Sequence, residues 1–262
     1  MREFLDGLCM YATSFVDCPM PSTNEMHSDP TPLTQEQQKW FESTVGSLHW
    51  FSIIMRYDIC YAVRRLGRHC RDPTVGHLKA MKRLISYLLQ HPCFSISTRE
   101  VIEQDELMVF SDSDHAGDTK ETTHSHTGTL VYLNGMPVFW TSRRQKDTTF
   151  SSTAAEIMAC SETLRDARAV THRAQEMGID LPDTVQVRLD SKGAVSFSLS
   201  TCVDTKLRGV WDLREGWIKM LRDRGFMQPI KITSEENAAD ILTKCLPERD
   251  FKKRLETCKT IQ

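Results

Sequence analysis

At 262 residues the chain is long enough for two modest domains, or for one domain with an extension. Hydrophobic residues make up 40% of it and charged residues 26%, which is ordinary for a soluble globular protein, and no apolar run is long enough to span a bilayer. The formal net charge of -2 hides a basic block, because residues 40–100 carry nine Lys/Arg against four Asp/Glu. Such a block can follow a phosphate backbone, although a helical surface with solvated charges is the simpler interpretation.

The cysteine pattern and the N-terminus bear on the compartment. Nine cysteines with no C-x-x-C pair and no Cys/His spacing suited to zinc argue against a disulfide framework and for a reducing environment. The N-terminal stretch MREFLDGLCMYATSF has early acidic residues and no sustained apolar core, so it is unlike a signal peptide. We therefore expect an intracellular protein, cytoplasmic or nuclear, with no membrane partner.

The first hundred residues read as a linker followed by helices. Residues 18–36 are rich in Pro, Ser and Thr, which favours an extended linker. From residue 37 to about residue 66 apolar side chains recur at spacings of three to five, which predicts a helix. Pro73 interrupts the pattern, and a second helix is predicted over 77–90.

The pattern then changes to alternation typical of strands. The predicted strands are 107–110, 127–133, 138–142, 185–189 and 230–232, and the predicted helices are 152–177, one from about 191, 211–224 and 237–244. Asn134-Gly135 is a hairpin signal, and Gly178 is a good end for the long helix. This order predicts a mixed five-stranded sheet flanked by helices, as in ribonuclease-H-like domains.

Four acidic residues follow strands or open helices in this second half: Asp112, Glu156, Asp190 and Asp240. Singly, each has an ordinary structural explanation. Asp112 could start a turn, Glu156 could complete a capping box with Thr153, Asp190 could cap a helix, and Asp240 could be a surface charge.

Together the four acids predict a metal site. Asp112 and Asp190 both lie where strands leave the sheet, which is where ligands gather in α/β proteins. Converging carboxylates repel one another unless cations occupy the site, and oxygen-only ligands favour Mg²⁺ or Mn²⁺. Two such ions about 4 Å apart would activate a water and stabilise the leaving oxygen of a phosphodiester.

Several motifs in a fixed order then identify a family. The stretches SDSDHAGD, GTLVYLNGMPVFWTSRRQK, SSTAAEIMA, LDSKGA and ENAADILTKCLP resemble the ribonuclease H domain of copia-type retrotransposon Pol polyproteins. The upstream stretch from Val45 to Leu88 is similar to the segment that joins reverse transcriptase to ribonuclease H in the same elements. The resemblance covers roughly residues 9–255. It implies a retroelement Pol fragment, for which a retroelement particle is a further expected location.

The resemblance assigns roles to particular residues. It implies that Asp112, Glu156, Asp190 and Asp240 bind two catalytic Mg²⁺ ions, or Mn²⁺, and cleave the RNA strand of an RNA–DNA hybrid. Selectivity for RNA would come from contacts to 2′-hydroxyls. The candidates for contacts to the nucleic-acid backbone are Ser151, Ser152, Arg143, Arg144 and Lys146.

The chain also departs from the family pattern. His115 stands where Trp is usual, Ala154 where Glu is usual, and Ile157 where Tyr is usual. The stretch TKLRGVWDLREGW lacks the histidines that the family carries between Asp190 and Asp240, a loss that would slow turnover. The polymerase motif Y-x-D-D is absent, so we expect no polymerisation by this chain alone and a separate reverse transcriptase polymerase chain as a candidate partner.

The expected domain organisation has three parts. Residues 1–36 form a partly disordered remnant of the reverse transcriptase end, 37–100 a helical connection segment, and 101–262 the ribonuclease-H-like domain. Hybrid cleavage is the leading function. A catalytically weak or inactive remnant that binds nucleic acid is the alternative, and a structural partner for a polymerase chain is a third.

Overall fold

The computed structural model describes residues 15–96, 106–115, 117, 122–201 and 212–260. The chain divides into two compact units, Met1–Ser95 with Lys244–Glu256 (unit 1) and Ile96–Thr243 with Thr257–Gln262 (unit 2). The eight α-helices of the described residues are α1 Thr23–Met26, α2 Gln35–Ile54, α3 Cys60–Gly67, α4 Val75–Gln90, α5 Ser152–Glu176, α6 Lys192–Leu199, α7 Asp212–Asp223 and α8 Glu248–Thr260. The strands are β1 Leu107–Asp114, β2 His126–Leu133, β3 Met136–Arg144, β4 Val185–Leu189 and β5 Met227–Lys231.

Unit 1 is a helical body with its own core. Four apolar residues of the segment that precedes α2 are buried in this core, namely Val16, Cys18, Met20 and Met26. They pack with side chains of α2, α3 and α4 and with Phe251 of α8. The prediction of an extended linker over 18–36 thus differs from the structure, because these apolar residues bury more surface than the Pro- and Ser-rich composition suggests.

The predicted helix over 37–66 is interrupted. Helix α2 ends at Ile54, a 3₁₀ turn follows over Tyr57–Ile59, and α3 begins at Cys60. The interruption coincides with a buried ion pair in which Arg56 Nη2 lies 2.7 Å from Asp58 Oδ2. A periodic apolar pattern does not reveal such a break, because it continues on both sides of it.

Unit 2 is built on one five-stranded sheet with the strand order β3-β2-β1-β4-β5. Strands β1, β2 and β3 are antiparallel neighbours, whereas β4 and β5 run parallel to β1. The predicted hairpin turn is present, with Asn134 and Gly135 at φ 53° and 78°. Helix α5 packs on the central strands, and Gly178 follows its end at φ 80°.

The predicted mixed five-stranded sheet with flanking helices, preceded by a helical segment, is confirmed. Three elements near the C-terminus differ from the prediction, and the first is β5, which covers Met227–Lys231 rather than 230–232. The segment predicted as a helix over 237–244 is a 3₁₀ helix over Ala238–Leu242, and α8 was not predicted at all. None of the helices in the described ranges is both long and apolar enough to cross a membrane.

Candidate active site

Asp112 lies in β1, the middle strand of the sheet, and its side chain is 1% exposed. A buried carboxylate loses most of its hydration, so it needs hydrogen-bond donors or cations around it. Thr243 Oγ1 donates a hydrogen bond to Asp112 Oδ2. Asn237 Nδ2 donates to the Ser111 carbonyl over 3.1 Å and lies 3.5 Å from Asp112 Oδ1. These contacts fix the carboxylate and connect it to the segment that carries Asp240.

Gly128 makes room for that segment. It pairs with Asp112 across the β1–β2 ladder. A Cβ atom at Gly128 would lie 2.7 Å from Thr243 Cγ2 and 2.8 Å from the Ala239 carbonyl oxygen, closer than real Cβ contacts allow. The 3₁₀ helix therefore packs directly on β2 because residue 128 has no side chain.

Asp240 lies within this 3₁₀ helix and is 3% exposed. Asn237 caps the helix by accepting a hydrogen bond from Ala239 N on its side-chain oxygen, at 3.1 Å. Thr243 Oγ1 lies 3.1 Å from the Asp240 carbonyl oxygen. The stretch ENAADILTK thus positions the Asp112 side chain and the backbone of Asp240 through the hydrogen bonds of Asn237 and Thr243.

Asp190 immediately follows β4, the parallel neighbour of β1. Leu189 of β4 pairs with Ser111 of β1. The residues that follow this pair in the chain are Asp190 and Asp112, and each carries a carboxylate. The helix cap after β4 is Ser191, whose Oγ accepts a hydrogen bond from Ala194 N at 3.2 Å. Asp190 is therefore not used as the helix cap.

The structure brings three of the four predicted acids together. Asp112, Asp190 and Asp240 each place a carboxylate oxygen within 4.8 Å of the other two. Two of the three are buried, so their mutual repulsion is only weakly screened by water. An oxygen-only donor set of this charge fits a hard divalent cation, and the group can hold a metal ion.

Glu156 is not part of this group of three. It lies in the second turn of α5, whose cap is Ser151, with Oγ accepting from Ala154 N at 3.1 Å, so Glu156 does not complete a capping box. A Cβ atom at Gly193 would lie 2.7 Å from Thr153 Cγ2, which shows that the starts of α5 and α6 touch. Glu156 is thus on the helix end that adjoins the segment after Asp190.

The Cys160 thiol lies one turn beyond Glu156. Burial, together with the negative charge of Glu156, raises the pKa of Cys160 to about 12. This thiol therefore stays protonated at neutral pH.

The predicted nucleic-acid contacts divide into two sets. Ser151, Ser152, Arg144 and Lys146 are exposed. Arg143 is half-buried and forms an ion pair with Asp166 of α5, so it is less available. Burial raises the pKa of Asp166, and the guanidinium of Arg143 opposes that rise.

Two residues near this surface were not among the predicted site residues. Phe150, next to the Ser151 cap, is 95% exposed, and a fully exposed aromatic ring is a surface on which a base or sugar can stack. His115 Nδ1 lies 3.3 Å from Ser125 Oγ and 3.3 Å from Thr149 Oγ1, linking the segment after β1 to the start of α5. The first part of the stretch in which the family histidines are missing, residues 205–211, lies outside the described residues.

The chain is similar in sequence to Pol polyproteins of plant transposons. The Retrovirus-related Pol polyprotein from transposon TNT 1-94 of Nicotiana tabacum is 31% identical over 223 residues, 84% of this chain. The corresponding polyprotein from transposon RE1 of Arabidopsis thaliana is 30% identical over 254 residues, 95% of this chain. The chain spans 16% and 17% of the length of these two relatives.

A shorter relative is matched almost entirely. The Secreted RxLR effector protein 161 of Plasmopara viticola is 35% identical over 134 residues, which is 51% of this chain and 92% of that protein. No protein-family model matches the chain.

Among solved structures, LC11-RNase H1 is similar with a TM-score of 0.40 and 21% identity, over 57% of this chain and 98% of that one. LC11-RNase H1 in complex with an RNA/DNA hybrid gives a TM-score of 0.41 and 18% identity, over 53% of this chain and 94% of that one.

Proposed function

Because the chain belongs to the family of copia-type retrotransposon Pol polyproteins, we propose that it is a ribonuclease H that cleaves the RNA strand of RNA–DNA hybrids with divalent metal ions. The observation that carries this proposal is the convergence of Asp112, Asp190 and Asp240 at the ends of β1 and β4.

In this proposal Asp112, Glu156, Asp190 and Asp240 hold two Mg²⁺ ions, or Mn²⁺. When bound, such ions supply Lewis-acid activation of water and stabilisation of the leaving oxygen. Thr243 and Asn237 keep the Asp112 carboxylate in one orientation, so its oxygens need little reorganisation to act as ligands. Glu156 contributes from α5, on the side of the site next to Asp190.

Substrate binding is assigned to the exposed surface at the start of α5. Ser151 and Ser152 present hydroxyls, and Arg144 and Lys146 present positive charge, which suits contacts to phosphate and sugar. Preference for RNA would come from hydrogen bonds to 2′-hydroxyls across the minor groove of the hybrid. A reverse transcriptase polymerase chain is the proposed partner that produces the hybrid.

The alternative function is a remnant that binds nucleic acid through the basic 40–100 block without cleaving it. The structure supports this alternative less than it supports cleavage. Two arginines of that block, Arg56 and Arg65, are buried, and Arg56 is paired with Asp58. Their charges are therefore unavailable to a phosphate backbone, and the block presents less positive surface than its composition suggests.

The test measures cleavage of a hybrid labelled on the RNA strand, in the presence of Mg²⁺ or Mn²⁺. The wild type is compared with Asp112→Asn. The matched control is Asp180→Asn, which changes an exposed carboxylate. We expect RNA-strand cleavage that is abolished in Asp112→Asn and unchanged in Asp180→Asn. Hybrid binding without cleavage by the folded wild type would establish the non-catalytic alternative instead.

A further inference from the structure

Three histidines that follow or begin different helices meet in unit 1. One ring nitrogen each of His27, His69 and His77 lies within 4.8 Å of the other two. The centroid of the His27 ring is 5.7 Å from that of His69 and 5.4 Å from that of His77. We propose that this histidine triad binds a divalent late transition-metal ion, for which Zn²⁺ is the best match to three imidazole donors.

The backbone holds the three histidines close without any ion. His27 is the residue directly after α1, His69 follows the end of α3, and His77 is in the first turn of α4. A Cβ atom at Gly76 would lie 2.3 Å from the Met26 carbonyl oxygen, and Gly76 N donates to the Asp29 carbonyl at 3.0 Å. The start of α4 therefore lies directly against the segment that carries His27.

His77 is the most constrained of the three. It is 4% exposed, Thr74 N donates to its Nδ1 at 3.0 Å, and Thr74 Oγ1 lies 3.1 Å from the same nitrogen. Because Thr74 N donates to Nδ1, the His77 ring carries its proton on Nε2 in this structure. A metal on Nε2 requires that proton to move to Nδ1, so the bond from Thr74 N is given up and Thr74 Oγ1 accepts from Nδ1 instead. Such an outer hydrogen bond is what usually orients a metal-bound imidazole.

Binding also requires a change in ring orientation. The His69 and His77 rings are stacked, with centroids 3.9 Å apart and an angle of 17° between their planes. Because a metal lies in the plane of each imidazole that binds it, one ring must rotate. His69 is only half-buried, and rotation about the bond to its ring is a soft motion, so His69 is the ring that turns.

The absence of a sequence signature for this site has a structural reason. The three ligands come from three separate elements, so no short Cys/His spacing marks them, whereas zinc motifs are recognised by such spacings. Cys70 is adjacent to His69 in sequence, but it is not among the described residues whose ligand atoms converge here.

A bound ion would stabilise unit 1. It would connect the end of α1, the end of α3 and the start of α4, and an ion that binds only the folded state raises its stability by mass action. The inference is independent of the carboxylate site, since all three histidines belong to unit 1 and the carboxylates to unit 2.

The test is calorimetric titration with Zn²⁺ in excess Mg²⁺, which fills the carboxylate site, under a non-chelating reductant. Wild type is compared with His69→Ala, with His27→Ala as a second variant, and with His172→Ala as the control, an exposed histidine of α5. Loss of one of three donors should weaken one Zn²⁺ site roughly tenfold or more in both test variants, and the His172→Ala control should keep the affinity of the wild type. Zn²⁺ should also raise the unfolding temperature of the wild type but not of His69→Ala.

Cobalt substitution then identifies the donor atoms. We expect Co²⁺ to give d–d absorption without a thiolate charge-transfer band, and His69→Ala to lose that absorption. Equal Zn²⁺ affinity in the wild type and in both folded variants would overturn the proposal, and so would a thiolate band, because it would assign the ion to cysteine ligands.

Discussion

Thr243 controls the position of the most buried carboxylate of the candidate site. Its hydroxyl donates to Asp112 Oδ2, and its oxygen lies 3.1 Å from the Asp240 carbonyl. Thr243 is itself fully buried. One hydroxyl therefore contacts the Asp112 carboxylate of β1 and the backbone of Asp240 in the 3₁₀ helix.

Replacing Thr243 by Val keeps the shape of the side chain and removes only this donor. We expect Thr243→Val to lower the free energy of unfolding by about 1–2 kcal/mol, because Asp112 loses a buried donor. We also expect it to weaken Mn²⁺ binding about tenfold, because a partner that orients a ligand is lost. Thr184→Val is the control, since Thr184 Oγ1 donates to Gly225 O at an exposed position. Equal Mn²⁺ affinity in both variants would mean that Thr243 does not orient the site.

At the scale of elements, the site depends on how closely the 3₁₀ helix Ala238–Leu242 approaches β2. Gly128 permits that approach, and the atoms that a Cβ would meet include a backbone oxygen, which cannot move aside alone. The hydroxyl chain Thr129–Thr163–Ser111, with distances of 2.7 and 3.1 Å, connects β2, α5 and β1 beside Asp112. The strand geometry and the packing of α5 are thus fixed close to the carboxylates.

The variant Gly128→Ala tests this close packing. We expect it to destabilise unit 2 by about 1–3 kcal/mol, as overpacking does, and to abolish hybrid cleavage because Asp240 is displaced. Gly46→Ala is the matched control, since a Cβ at this exposed position of α2 meets nothing within 4 Å. That control should stabilise the protein by about 0.5–1 kcal/mol, because alanine favours a helix. Full activity in Gly128→Ala would show that the 3₁₀ helix has room to shift without harm.

Local sequence signals determine how much of the fold could be predicted. The hairpin at Asn134-Gly135 and the helix end at Gly178 follow from residues that tolerate positive φ, and both are present. Helix α8 was missed because it is mostly charged, with its few apolar residues, such as Phe251 and Cys258, buried only by tertiary contacts. The convergence of Asp112 and Asp190 could be predicted from parallel strands, whereas the histidine triad, which no short spacing marks, could not.

At the scale of the whole molecule, each unit has its own core and its own polar network. In unit 1 Arg56 and Asp58 form a two-point ion pair, with Nε–Oδ1 at 2.9 Å and Nη2–Oδ2 at 2.7 Å. Tyr87 OH donates to Asp58 Oδ2 at 2.8 Å, and Arg56 Nη1 donates to the His91 carbonyl at 2.8 Å. Burial, followed by the charge of Asp58, raises the pKa of Tyr87 far above its usual range, so it remains a donor.

Removing Asp58 should therefore be costly. Asp58→Ala leaves Arg56 buried without its counter-charge, and we expect the free energy of unfolding to fall by about 3–5 kcal/mol. Asp223→Ala, which breaks an exposed pair with Arg222, should change it by less than about 1 kcal/mol. Denaturant unfolding of both variants checks this difference, and similar small effects would mean that the buried network contributes little.

The measurement that tests the carboxylate site most directly is the Mn²⁺ affinity of the folded protein, determined by calorimetry. The wild type is compared with three variants, Asp112→Asn, Asp190→Asn and Asp240→Asn. Asp180→Asn serves again as the control. We predict that each of the three site variants weakens Mn²⁺ binding about tenfold or more, because each removes one charged oxygen ligand, and that the control does not. Unchanged Mn²⁺ affinity in all three would contradict a metal site at the ends of β1 and β4.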